Sequence, residues 1–222
     1  MSSEAVAVRP IPSLHARFWN KALSGLPAAS PRRVLEVGCG RGESLALLIS
    51  RGVDAYGFDL GAAAGPLLAP KSQFAFGSLC SAMTFPQHHF DLVVVRPNPA
   101  FRGELATAEH HVATANLLSC LKPGGRMIIV EPRQGRDDAS AADWAARWDR
   151  HLEAFTAQRR VHPYADGLGW WLSLGFLKKT PRLDLQLISV TIPDAPVTRL
   201  EWHRQARTAV LPRTRQPRRK AA

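Results

Sequence analysis

The run Val34-Leu35-Glu36-Val37-Gly38-Cys39-Gly40-Arg41-Gly42 sets three glycines directly behind an apolar stretch and in front of a helical one. Glycine at such a junction lets the backbone turn sharply and come close to a ligand, with helix N–H groups aimed at it. The spacing is GxGxG, and Glu43 stands where a dinucleotide-binding loop would carry its third glycine. Glu36 lies in the strand end just before the loop. A pyrophosphate would be repelled by that acid, whereas an amine-bearing ligand would be attracted. Asp59 follows Gly40 by 19 residues, and an acid at that place suits the two hydroxyls of a ribose. The loop therefore asks for a nucleoside with a positively charged appendage.

No nucleophile–base–acid constellation is visible. Candidate bases are His88, His89, His110, His111, His162, Tyr164 and Glu131. The first pair reads as solvated loop histidines and the second as helix-surface histidines. Glu131 is better placed, because it follows a strand at the carboxyl edge where open α/β sheets bind ligands. Arg96, Asn98 and Phe101 follow another strand at the same edge. Asn98-Pro99-Ala100-Phe101 is only a faint match to the Asn-Pro-Pro-Phe motif of amino-group methyltransferases and reads as coincidence. Cys39 reads as a small packing residue. With Cys80 and Cys120 it makes an odd, widely spaced set without CxxC, which argues against a disulfide framework and a structural zinc site.

The elements that must position these residues alternate. Ser13 to Gly25 reads as a leading helix with Leu14, Phe18 and Leu26 on related faces. Strands are expected at Val34–Val37, Val53–Phe58, Gln73–Gly77, Asp91–Val95 and Met127–Val130. Helices are expected after Gly42, ending at Gly52, and over 103–121, where Lys122-Pro123-Gly124-Gly125 stops the helix. Such alternation implies right-handed βαβ units and a doubly wound, mostly parallel α/β sheet. A charged helical insertion is expected over about 131–165, then a helix near Trp170 to Leu174, then two strands around Phe176 and Leu185–Ile192. The last two have no crossover helix between them and should form an antiparallel pair at the sheet edge.

VLEVGCGRG, GFDL, GSLCSAMTFPQHHFDLVVV and LKPGGRMIIVEP stand in this order over about residues 33–132. In these motifs the chain resembles the class I S-adenosylmethionine-dependent methyltransferases, and among them the small group typified by quinone-biosynthesis C-methyltransferases. The later LSLGF is similar to the family's turn before its sixth strand. The resemblance implies a seven-stranded Rossmann-like sheet and S-adenosylmethionine as cofactor. It places Glu36, Gly38 and Gly40 near the methionine part, beside Cys39. It also places Asp59 on the ribose beside Leu60, and Ser78 with Leu79 near the adenine. Ser78 departs from the family, whose members usually carry an acid there; a hydroxyl is shorter and neutral.

Methyl transfer from a sulfonium needs alignment and water exclusion more than acid–base chemistry. The acceptor is expected between Arg96, Asn98, Phe101 and Glu131 on one side and Trp144 and Trp148 on the other. Trp144, Trp148 and Phe155 share a helix face, which can be core, lid or both. Two Trp side chains suit a flat, largely apolar acceptor, with Arg96 fixing an anionic group on it.

Of the net charge of +11, residues 199–222 contribute +7 through eight basic residues against Glu201, leaving +4 elsewhere. Most of the basic charge thus reads as that of a tail, and 212–222 as a disordered basic tail able to associate weakly with nucleic acid. The rest, 1–211, reads as one domain. MSSEAVAVRPIPS lacks the pattern of a secretory leader, and the uncharged stretch Ser72–Phe90 contains Gly77 and Pro86, so no membrane span is expected. The expected compartment is the cytoplasm. The leading reading is a methyltransferase for a small organic acceptor. Alternatives are an RNA-directed methyltransferase or RNA-associated protein using the Arg-rich tail, a non-catalytic cofactor-binding member, and a nucleotide-binding oxidoreductase, which GxGxG and Glu36 disfavour.

Overall fold

The computed structural model describes residues 16–26, 32–60, 73–81, 85–97, 101, 105–132, 138–165 and 184–210. In chain order these form α1 (Ala16–Ser24), β1 (Arg33–Val37), α2 (Glu43–Ile49), β2 (Asp54–Asp59), β3 (Phe74–Phe76), β4 (Phe90–Val95), α3 (Ala108–Cys120) and β5 (Leu121–Pro132). Then come α4 (Asp138–Leu152), β6 (Gln158–Ala165), β7 (Asp184–Thr191) and α5 (Arg199–Val210). Seven strands make one sheet in the order β3-β2-β1-β4-β5-β7-β6. β1 to β5 run parallel, and β7 is antiparallel to both β5 and β6. This is the doubly wound Rossmann-like sheet that the alternation implied.

Each face of the sheet has its own core. α1 and α2 cover one face through Phe18, Trp19, Leu45 and Leu48, packed on Val34, Leu92, Val94 and Ile128. α3, α4 and α5 cover the other through Leu117, Leu118, Trp148, Leu152 and Trp202, packed on Val93, Met127 and Ile129. α3 is buried almost all round, because the sheet lies on one side of it and α5 on the other. Its buried polar groups are therefore paired. Thr114 meets His151, and Ser119 accepts from Arg199 Nε.

Three expectations are corrected. Residues 158–165, expected inside the helical insertion, form β6, so the helix of that insertion is Asp138–Leu152 alone. The sixth strand thus precedes the segment around Phe176, and that segment, with LSLGF and Trp170 to Leu174, lies outside the described residues. The basic tail does not begin at Arg199. Residues 199–210 are a helix with Trp202 fully buried, and Arg199 Nη2 donates to Phe85 O. Residues 212–222 lie outside the described residues. Among the described residues no helix is long and apolar enough to cross a membrane.

Candidate functional site

In a doubly wound sheet, the connections leave in opposite directions from the two central strands, and the crevice opens above their carboxyl ends. Here those strands are β1 and β4. Arg96 N donates to Val37 O at 3.0 Å, bringing the end of β4 against the start of the glycine loop. Gly38, Gly40 and Gly42 all adopt left-handed φ values of 78°, 55° and 82°. Gly40 faces open space, with nothing within 4 Å of where a Cβ would stand, while a Cβ on Gly42 would come within 2.9 Å of Phe74.

The loop's glycine N–H groups are turned inward. Gly38 N donates to Phe58 O, Gly42 N to Cys39 O and Gly40 N to Asp59 Oδ2 at 2.9 Å. They form no anion-binding nest of the kind a pyrophosphate needs. Asp59 Oδ1 accepts from Leu60 N at 2.7 Å, and the Leu60 side chain is 42% exposed. Each Asp59 oxygen retains a lone pair beyond these bonds. Ser78 is exposed, and its Oγ accepts from Cys80 N at 3.2 Å. Leu79 is buried in the core, and its carbonyl accepts from Asn116 Nδ2 at 2.7 Å. The Cys39 side chain is buried against Gly57.

Across the crevice, a cavity of about 90 Å³ is lined by Arg96, Phe101, Glu131, Trp144 and Trp148 with neighbouring strand residues. Five of the six residues expected around the acceptor therefore meet in one cavity. The sixth, Asn98, lies outside the described residues. Trp148 is buried and its ring centroid lies 5.2 Å from that of Phe101. The aromatic face of α4 is thus both core and cavity wall.

The model of one protein family, described as a methyltransferase domain, matches residues 9–173. The chain belongs to this methyltransferase-domain family. Among solved structures, an S-adenosylmethionine-dependent methyltransferase from Mesorhizobium loti superposes with a TM-score of 0.53 at 18% identity, covering 79% of this chain and 98% of that one. A methyltransferase of the same dependence from Archaeoglobus fulgidus gives 0.53 at 15% identity, covering 79% and 90%. One from Methanosarcina mazei gives 0.51 at 16%, covering 81% and 98%. These similarities establish the methyltransferase fold. No curated protein matches the chain in sequence.

The electrostatic centre of this methyltransferase domain is Glu36. It is fully buried, and burial pushes its carboxyl up to about 7 against the downward pull of Arg96. Arg96 Nη1 stands 3.4 Å from Glu36 Oε1. Glu36 Oε2 has no hydrogen-bond partner, and neither has the buried Ser44 Oγ. Ser44 lies close enough to favour the ionised carboxylate but outside hydrogen-bond geometry. The Cys39 thiol is pushed up to about 12, first by burial and then by Glu36 and Asp59, which leaves it inert as a nucleophile.

Most of the histidines prove structural. His88 adopts φ 53° and its Nε2 meets Val197 O, while His89 packs edge-on against Tyr56 and Phe90. His110 stacks on Phe101 at the cavity rim. His111, expected on the helix surface, is buried beside His151 with ring centroids 4.3 Å apart. Burial by α4 makes the difference. His162 lies on β6, away from the crevice, and the Tyr164 side chain lies outside the described residues. Sequence reasoning missed Asn116, whose Nδ2 bridges Leu79 O and Ser81 O and whose Oδ1 meets His203 of α5. It thereby pins the turn that carries Ser78. A polar residue amid the apolar positions of α3 was the available signal.

Proposed function

We propose that this methyltransferase domain uses S-adenosylmethionine to methylate a small organic acceptor. The observation that carries the reading is Glu36: a buried acid at the end of β1, at the switch point, whose Oε2 has no hydrogen-bond partner, in the strand that leads into the open glycine loop. Arg96 reaches only Oε1, and a buried carboxylate oxygen left without a hydrogen bond is costly, a cost that a ligand α-ammonium group would relieve. The cofactor's chemical groups therefore fit the residues present. Glu36 would hold the ammonium, Asp59 the ribose hydroxyls through its remaining lone pairs, and the turn at Ser78 the adenine. When bound, the cofactor supplies a methyl group already activated by its sulfonium.

The chain's remaining task is to hold the acceptor and exclude water. Phe101, Trp144 and Trp148 offer apolar walls for a flat acceptor, Arg96 a cation for an anionic group on it, and Glu131 a proton acceptor at the strand edge. The reading extends to a single domain over 1–211 working in the cytoplasm, with the segment from Pro212 dispensable for cofactor binding. No observation favours RNA as the acceptor, since Arg199, Arg204 and Arg207 of the basic stretch lie on α5. Calorimetry with S-adenosylmethionine, S-adenosylhomocysteine, NAD and NADP tests the reading. Binding of the first two alone is expected, and stabilisation by NAD but not by S-adenosylhomocysteine would sink it. Incubation of an extract with methyl-labelled cofactor then identifies the acceptor. Tight binding with no labelled product from any extract would favour a non-catalytic member.

A further inference from the structure

Asn116 is a buried polar residue in the middle of α3. Its Nδ2 donates to Leu79 O at 2.7 Å and to Ser81 O at 2.9 Å. Only the NH2 end of the amide can meet two carbonyls, so the side chain's orientation is fixed and Oδ1 is left to accept. His203 Nε2 of α5 stands 3.0 Å from Oδ1 and therefore carries the proton between them. Burial first, and then Arg207 and Arg199, hold His203 below its ordinary value, so it donates as a neutral ring. Both amide protons and the amide oxygen of Asn116 are thus engaged, joining α5 through α3 to one turn.

That turn is Ser78–Ser81. Ser81 N donates to Ser78 O at 3.1 Å and Cys80 N to Ser78 Oγ at 3.2 Å, so the Ser78 hydroxyl itself helps to close it. On the crevice side, Gly77 N donates to Asp59 O at 3.1 Å, which ties the turn to the end of β2. A short, neutral side chain that is already engaged gives little discrimination between bases. Discrimination then depends on where the backbone of the turn is held, and Asn116 holds two of its carbonyls.

Resting on the reading that S-adenosylmethionine lies in the crevice with its adenine at this turn, we propose that Asn116 is the positioning residue for adenine specificity. It acts from behind the turn without touching the cofactor, and His203 braces it from α5. Adenine offers a donor at its amino group and an acceptor at N1, and hypoxanthine reverses both. A turn held rigidly distinguishes the two, because the wrong base leaves polar groups unpaired. A loosened turn lets its backbone groups adapt to either.

S-adenosylhomocysteine and S-inosylhomocysteine are titrated into the full-length protein by calorimetry, with circular dichroism and melting temperature recorded on the same samples. The wild type should bind the adenosyl compound roughly tenfold or more tightly than the inosyl one. Asn116→Asp keeps the side chain's size but sets an acceptor against Leu79 O and Ser81 O, and it should bring the two affinities within about threefold of each other. His203→Leu removes the donor to Asn116 Oδ1 and should narrow the ratio in the same direction by a smaller factor. Val190→Ala, a core change on β7, should lower the melting temperature and leave the ratio intact. If Asn116→Asp does not fold, the ratio in His203→Leu decides. The proposal alone is overturned if the wild type binds both compounds equally, if the ratio survives in His203→Leu and in folded Asn116→Asp, or if Val190→Ala loses the ratio too. A wild type that binds neither compound overturns the cofactor reading and this proposal with it.

Discussion

Glu36 is a buried acid whose protonation is set by its surroundings. Its carboxyl is held near 7 by burial, so in the free protein it is part protonated at neutral pH. A ligand ammonium favours the ionised form. Cofactor affinity should therefore fall as pH drops below about 7, with proton release on binding that disappears in Glu36→Gln. Calorimetry in buffers of different ionisation enthalpy reads that proton directly. Asp59 holds Gly40 N and Leu60 N, and the proposed ribose contact would be a second duty. Asp59→Ala should cost roughly 2–4 kcal/mol of cofactor binding, measured with S-adenosylhomocysteine. An unchanged affinity would remove the ribose from Asp59.

At the scale of elements, α4 joins core to cavity. Trp148 is buried on Phe101 and His151, so Trp148→Ala should lower stability by about 3–5 kcal/mol. Trp144 is only half-buried on the same cavity. Trp144→Ala should damage turnover of the true acceptor with little change in cofactor affinity or melting temperature. His151 locks α4 to α3. Its Nδ1 donates to Leu105 O and its Nε2 accepts from Thr114, and burial pushes it down to about 3. The unfolded chain binds this proton at its ordinary value near 6.5 and the folded one does not. Stability should therefore be complete above that value and decline as pH falls towards about 3, by up to about 1.4 kcal/mol per pH unit from this group. Urea unfolding midpoints in His151→Gln should show a shallower decline.

At the scale of the whole molecule, α5 closes the second face of the sheet. Trp202 is buried against α3, Arg199 ties to Phe85 and Ser119, and His203 reaches Asn116. Deleting 199–222 should therefore destabilise the protein and loosen the turn at Ser78. Deleting 212–222 should leave melting temperature and S-adenosylhomocysteine affinity unchanged. Equal losses from both deletions would place the fold's boundary beyond Val210.

The glycine loop, Glu36, Asp59 and the alternation of strands were legible in the sequence because each is a local demand. Left-handed φ values require glycine, buried parallel strands read as short apolar runs, and a loop between strand and helix is written in consecutive residues. The ends of β4 and β5 were legible for a similar reason, since an open sheet brings its carboxyl ends together whatever the details of its loops. What depended on distant packing was not legible. Arg199 to Val210 carries basic residues that look like tail chemistry, yet Trp202 and Ala206 find a partner face on α3. Residues 158–165 look like the end of a charged helix until β7 offers them a ladder of backbone hydrogen bonds. His111 becomes a core residue only because α4 lies over it. The Glu36–Arg96 pair, which sets the charge at the centre of the site, joins residues 60 positions apart. Local conformational preference acts over a few residues and is written in them, whereas burial and charge pairing are set by which surfaces meet, and only the folded chain decides that.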